Sequence, residues 1–186
     1  MAEQITASYC DYVNSLEQDN VHVHYHDTQY GFPIESDNEL FGRLILEINQ
    51  AGLNWTTILK KQDNFRRAYS GFDIATVANY GEVDYQRLLN DAGIIRNRLK
   101  IRAAIHNAGV IVQLQEEFGS FKAWLDKQHP LSKEAWVKLF KKTFKFTGGE
   151  ITNEFLMSSG YLKGAHSESC AVHLEIMKLS PAWQRT

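Results

Sequence analysis

Leu40, Leu44, Ile45 and Ile48 recur at helical spacing within SDNELFGRLILEINQAGL. Ser36, with Glu39 three residues later, gives that stretch a capping-box start, and Gly52 a stop. WTTILKKQDNFRRAY predicts a second helix, ended at residues 70–71 by Ser and Gly. Asp73 is an N-cap for a short helix through Ile74, Val77 and Ala78, and VDYQRLLND predicts another. After Ala92 and Gly93, apolar positions at Ile101, Ala104, Ile105, Ala108 and Val112 predict one long amphipathic helix from Arg96 to Phe118. FKAWLDK, KEAWVKLF, EITNEFLMSSGYL (ending near Gly160) and HSESCAVHLEIMKL complete the series. The pattern predicts an all-α chain of about eight to ten short helices, without repeats or long linkers. Its two ends are expected to fold together as a small sublobe. One stretch resists assignment. In VHVHYHD, an extended backbone would put His22, His24 and His26 on one side and Tyr25 on the other, whereas a helix would dissolve that grouping.

Length and composition narrow the class. The 186 residues suffice for one well-buried core, and 44% hydrophobic with 23% charged residues is ordinary for a soluble globular protein. No apolar run approaches the ~20 residues of a membrane helix. MAEQITASYCDY lacks a basic region followed by an apolar stretch, so a cytoplasmic monomer without a membrane partner is expected. A net charge of −2 argues against coating nucleic acid by bulk electrostatics but leaves room for a local basic face.

Three groups of residues carry candidate chemistry. The only two cysteines, Cys10 and Cys170, can join His26 and His166 as a tetrahedral metal set. His166 and Cys170 are four residues apart and would share a helix face. Four protein ligands leave no open position, so such a zinc would be structural and clamp the two ends. The alternative is that His166 caps a helix and Cys170 is a buried small hydrophobe. The second group is basic: Arg96, Arg98, Lys100 and Arg102 follow the turn at Gly93, and Lys60, Lys61, Arg66 and Arg67 could extend them. A turn opening a helix N-terminus suits a phosphate backbone, while a solvated face is the plainer reading. The third is Glu47, flanked by Leu44, Ile45, Leu46 and Ile48, with Trp55 just beyond Gly52 and Tyr25 and Tyr30 around the histidines. A carboxylate among aromatic rings favours a planar cation; core packing with an exposed Glu is the alternative.

YHDTQYGFP, ELFGRLILEINQAGLNWTTILKKQDNFRRAY, LLNDAGIIRNRLKI and FKFTGGEITNEFLMSSG, in that order, resemble the successive motifs of the DNA-3-methyladenine glycosylase I family, from about Cys10 to Cys170. The resemblance implies a helix-hairpin-helix DNA glycosylase of base excision repair. It implies a helical core over about 36–145 with its hairpin at 88–101, and a sublobe from about 1–30 and 146–186. That sublobe would hold a structural Zn2+ on Cys10, His26, His166 and Cys170. It further implies that alkylated double-stranded DNA is the partner and free 3-methyladenine the product. The flipped base would be held by Glu47, as the catalytic group, with Tyr25 and Trp55. Gly52 and Leu53 would fill the gap left by the base, and Gly93, Arg96, Arg98 and Lys100 would touch the backbone. AIHNAGVIVQL lacks the aspartate that many helix-hairpin-helix glycosylases carry there, and no lysine nucleophile is indicated, which implies a monofunctional enzyme without lyase activity.

The chain departs from the family pattern at the base-binding candidates Tyr12, His22 and Tyr30, where Trp, Tyr and Trp are usual, and at Leu99, where Gly is usual. These departures leave open a glycosylase-like module that binds damaged DNA with altered or no excision. A purely structural zinc protein would explain neither the hairpin nor Glu47.

Overall fold

The structure, a computed structural model, describes residues 8–185. Residues 1–7 of the expected sublobe, and Thr186, lie outside the described residues. The described chain is all-helical, with no strand. Its α-helices are α1 (Tyr9–Asn14), α2 (Val21–Thr28), α3 (Asp37–Gln50), α4 (Trp55–Leu59), α5 (Gln62–Ala68), α6 (Ile74–Ala78), α7 (Glu82–Asn90), α8 (Arg98–Phe118), α9 (Phe121–Gln128), α10 (Lys133–Thr143), α11 (Gly149–Ser158) and α12 (Ala171–Lys178). No described helix is long and apolar enough to cross a membrane.

α3 is the central strut. Ser36 caps it by accepting Glu39 N–H, but the expected return bond of a capping box is absent because the Glu39 carboxylate is taken by Arg66, and every residue from Leu40 to Asn49 is buried. A helix covered on all sides belongs in a core rather than at a surface. Leu40, Phe41, Leu44 and Ile45 pack with Ile101, Ala104 and Ala108 of α8 and Phe155 and Leu156 of α11 in one cluster. Gly42 lets the Phe72 ring lie against α3, since a Cβ there would overlap the ring. α11 ends in a turn around Gly160, whose φ of +80° is a left-handed conformation that glycine adopts freely. Tyr161 N–H there closes back on the Leu156 carbonyl at 2.8 Å.

Four sequence expectations change. The segment expected as one helix from Trp55 breaks at Lys60 and Lys61, where Lys61 N–H bonds Ile58 O in a tighter turn. The break turns Lys61 and Asn64 onto residues 92–93, whose carbonyls they bond at 3.1 Å. α8 starts at Arg98 rather than Arg96, with Asn97 as its N-cap, so the link from α7 runs over residues 91–97, where the Asp91 side chain accepts Gly93 N–H and Ile94 is buried. HSESC is not helical: Cys170 is the N-cap residue and α12 starts at Ala171. α11, expected in the sublobe, packs instead into the main core through Phe155 and Leu156.

α3 also orients α9. The Asp37 carboxylate accepts Phe121 N–H at 2.7 Å, Lys122 N–H at 2.9 Å and the Gln115 amide at 2.7 Å. The two backbone donors are first-turn amides of α9, which have no partner within their own helix. Asp37→Ala removes all three bonds and should lower unfolding free energy by about 2–4 kcal/mol, read by urea denaturation. An unchanged midpoint would show that water replaces the carboxylate at no cost.

Candidate active site and metal centre

α2 settles the VHVHYHD ambiguity. Capped by the Asn20 side chain on His22 N–H, the segment is helical. His22 and His26 therefore lie one turn apart on the same face, and His24 is exposed. Tyr25, on a different face, reaches a cavity of about 330 Å³. That cavity is lined by Tyr9, Tyr12, His22, Tyr25, Tyr30, Glu47, Gln50, Trp55 and Glu154. All five base-binding candidates and Glu47 thus meet at one place. Tyr9, Gln50 and Glu154 are additions. Tyr9 and Gln50 adjoin residues already singled out, Cys10 and the Gly52 turn. Glu154 stands 124 residues from Tyr30, to which it bonds, and had no local signal.

Aromatic rings form the walls. Tyr25 meets Trp55 edge-on at 5.2 Å between centroids and Tyr30 at 5.5 Å. Tyr12, 45% exposed, stands at the outer side and meets His22 edge-on at 5.3 Å. His22 is not a free hydrogen-bonding group. Its Nδ1 pairs with the Tyr9 hydroxyl at 2.9 Å and its Nε2 with Thr56 Oγ1 at 2.7 Å. It offers a base its ring, not its nitrogens.

Glu47 is 4% exposed, so the alternative of a surface Glu does not hold. Burial raises its carboxyl to about 8, with the neighbouring Glu154 pushing the same way and the Arg43 guanidinium and Ser158 hydroxyl offsetting part of the rise. Arg43, one turn earlier on α3, donates to Ser158 O at 3.0 Å and to the Tyr25 hydroxyl at 3.4 Å. Its guanidinium lies 5.3 Å from the Tyr25 ring centroid. The only buried cation beside Glu47 in this cluster is therefore engaged by other groups.

The edge of the cavity continues into the Gly52 turn. Gly52 has φ +78° and Leu53 is 39% exposed. Lys100 braces this turn from α8: its ammonium donates to Asn49 O at 2.8 Å and Ala51 O at 2.7 Å, the orphan carbonyls at the end of α3. Lys100 is 4% exposed, which corrects its expected place among the phosphate contacts. Arg66 is likewise engaged, bidentate to Glu39 at 2.6 and 2.9 Å. Arg96 and Arg98 are exposed beside the Gly93 turn. Two of the first amides of α8 are taken as well, since Asn97 Oδ1 accepts Leu99 and Lys100 N–H. In AIHNAGVIVQL the buried polar residue is Asn107, whose amide is paired with both backbone groups of Lys145.

Cys10, His26, His166 and Cys170 converge, with all four donor atoms within 4.8 Å of one another. His166 and Cys170 reach this point from a turn rather than from a helix face. Four tetrahedral ligands at zinc bond lengths would stand about 3.3 Å apart for two nitrogens and about 3.6 Å for sulfur and nitrogen. The separations are 3.1 Å for His166 Nδ1 to His26 Nε2, 3.7 Å for Cys10 Sγ to His166 Nδ1 and 3.7 Å for Cys170 Sγ to His26 Nε2. The far ring nitrogens also have partners: His26 Nδ1 meets Asp27 Oδ1 and His166 Nε2 meets Tyr30 O, each at 2.7 Å. Such outer bonds fix the tautomer of a metal-binding imidazole. The donor set therefore fits a metal ion.

Comparison with known proteins gives this site a setting. Residues 15–129 match the methyladenine glycosylase family. DNA-3-methyladenine glycosylase 1 of Escherichia coli (strain K12) is 36% identical over 178 residues, covering 85% of this chain and 94% of that protein. A crystal structure of 3-methyladenine DNA glycosylase I superposes with a TM-score of 0.75 at 33% identity, covering 85% of this chain and 97% of the other. A variant of 3-methyladenine DNA glycosylase I in complex with 3-methyladenine superposes with a TM-score of 0.74 at 27% identity, covering 84% and 94%. Fold and sequence together define an all-helical DNA glycosylase, an enzyme. The chain belongs to the methyladenine glycosylase family.

The raised carboxyl of Glu47 has a stability consequence. Between the ordinary value of 4.5 and about 8, Glu47 ionises in the unfolded chain but not in the folded one. Its penalty on the folded state therefore grows as pH rises through that window and levels off above it. Glu47→Gln should abolish this part of the pH dependence and gain about 2–5 kcal/mol on wild type between roughly pH 4.5 and pH 9. Parallel stability curves for the two proteins would show that Glu47 titrates normally.

Proposed function

We propose that the chain is a monofunctional glycosylase of base excision repair that flips 3-methyladenine out of alkylated duplex DNA and hydrolyses its N-glycosidic bond. The observation that carries this reading is the buried Glu47 carboxyl in an aromatic cavity of about 330 Å³, next to the exposed Gly52–Leu53 turn. Methylation at N3 makes adenine cationic and weakens the glycosidic bond, so extrusion and selection are the protein's main tasks. Tyr25 and Trp55 supply ring faces, each worth ~1–3 kcal/mol per stacked base. In the empty pocket Glu47 holds its proton near neutral pH. A cationic base favours the carboxylate, so Glu47 releases its proton and accepts N–H hydrogen bonds from the base, whereas a neutral base does not bring this about. The same charge then stabilises the sugar cation that develops as the bond breaks. No aspartate base takes part.

Residues 82–118 act in this reading as the helix-hairpin-helix element. Arg96 and Arg98 hold the phosphates beside Gly93, and Lys100 works as an internal brace that keeps Leu53 aimed at the stack. Cys10, His26, His166 and Cys170 hold zinc. With four protein ligands the ion supplies folding energy and leaves water unactivated.

Two experiments test these assignments. Incubated with methylated duplex DNA, wild type should release 3-methyladenine by chromatography, and Glu47→Gln should release it at least ~100-fold more slowly. DNA binding without release by wild type would identify a damage-binding module instead. Metal analysis should find one zinc per chain, lost in Cys170→Ser together with about 2 kcal/mol or more of stability. A native preparation that is fully folded yet metal-free would refute the zinc assignment.

A further inference from the structure

The cavity holds a second acid. Glu154 lines it from α11, while Glu47 lines it from α3. The Tyr30 hydroxyl donates to Glu154 Oε2 at 3.2 Å, which holds the carboxylate at the cavity wall. A carboxylate accepts about four hydrogen bonds, so one phenol leaves most of its capacity to a ligand. The polar groups around it narrow what that ligand is. Both nitrogens of His22 are engaged, by Tyr9 and Thr56. The Arg43 guanidinium is turned to Ser158 O, Gln29 O and the Tyr25 hydroxyl. Two carboxyls thus face one small cavity without an opposing free cation among its lining residues. Glu154 disfavours ionisation of Glu47, and a ligand that is positively charged and carries N–H donors relieves that repulsion.

Resting on the reading of this cavity as a base pocket, we propose that Glu154 is a second base-recognition carboxylate, which accepts an N–H of the flipped cationic purine alongside Glu47. An exocyclic amino group presents two N–H donors to such a lining. A ring carbonyl in its place would offer no N–H to the Glu154 carboxylate and would set acceptor against acceptor there, so Glu154 also discriminates against oxo-purines. Burial, with Glu150 nearby, raises the Glu154 carboxyl above its ordinary value, and the bonds from Tyr30 and Asn153 and the Lys133 ammonium oppose part of that rise. This agrees with a site completed by a cation.

Glu154→Gln is the decisive variant, because Gln keeps the volume and can still accept the Tyr30 hydroxyl while losing the charge. Single-turnover release of 3-methyladenine should fall about tenfold, the scale of one charge-assisted hydrogen bond. Affinity for a duplex carrying a tetrahydrofuran abasic analogue, which has no base to recognise, should stay at the wild-type value. Glu154→Asp retains the charge and should recover part of the lost rate, about threefold over Gln. Wild-type release by Glu154→Gln would reduce Glu154 to a structural partner of Tyr30 and overturn the proposal. An equal loss of abasic-duplex affinity would overturn it too, by assigning Glu154 to general DNA docking. Failure of wild type itself to release 3-methyladenine would instead strike the parent reading, so the two failures are distinguishable.

Discussion

A carboxyl buried on the most enclosed helix of the molecule is the constraint around which the site is arranged. α3 is covered from Leu40 to Asn49, and Glu47 lies inside that run. An isolated carboxylate there would cost several kcal/mol, and the group answers by holding its proton up to about pH 8. Its neighbours keep it in that state. Arg43 comes within reach of Glu47 yet is engaged by Ser158 O and Tyr25, so it offsets only part of the burial penalty. A tighter ion pair would satisfy Glu47 internally and leave nothing for a cationic ligand to gain. On the proposed reading, the incomplete pairing is what makes the cavity receptive to a cationic base.

The same economy of partners governs the basic residues. Read along the chain, Lys61, Arg66 and Lys100 belong to one positive patch; in the fold each is engaged by protein. Lys61 ties α5 to the Gly93 turn, Arg66 is locked to Glu39, and Lys100 closes the end of α3. Arg96 and Arg98 remain at the surface. With a net charge of −2, the chain does not attract DNA as a whole, so a few local cations must carry the electrostatics. The lysines do a different job. Lys61 holds the Gly93 turn to α5 and Lys100 holds α8 to the Gly52 turn, so the positions of residues 91–97 and of Leu53 are not independent.

Much of this was legible in the sequence. The N-cap at Ser36, the long α8 and the stop at Gly160 follow from local signals, and the resemblance to a family picked out Tyr25, Glu47 and Trp55 together. Other features were not legible, for physical reasons. Lys60 and Lys61 are good helix formers, and the turn there goes with Lys61 reaching the residue 92–93 carbonyls, a long-range contact that local propensity does not signal. His166 and Cys170 at a four-residue spacing suggest a helix, yet a turn ending at the N-cap brings them together just as well. Whether a lysine faces solvent or a helix end is a tertiary fact that charge counting cannot supply. Glu154 is the extreme case, since its relation to Glu47 exists only once α11 packs beside α3.

α2 joins the two chemical centres through a single helical turn. Tyr25 enters the cavity while His26 enters the metal cluster, and Tyr9 stands 5.9 Å from both His22 and His26, between the two. His166 continues the connection from the other side, with its ring nitrogen on the carbonyl of Tyr30, the residue whose hydroxyl holds Glu154. A metal bound by His26 and His166 would therefore fix the backbone of both Tyr25 and Tyr30 without touching a ligand in the cavity. Its effect on base recognition would be one of orientation: the metal restricts where two phenols stand, and those phenols restrict where the two carboxyls meet a base. If the cluster holds a metal and the cavity a base, as proposed, the ion has a physical reason to sit so close to that cavity.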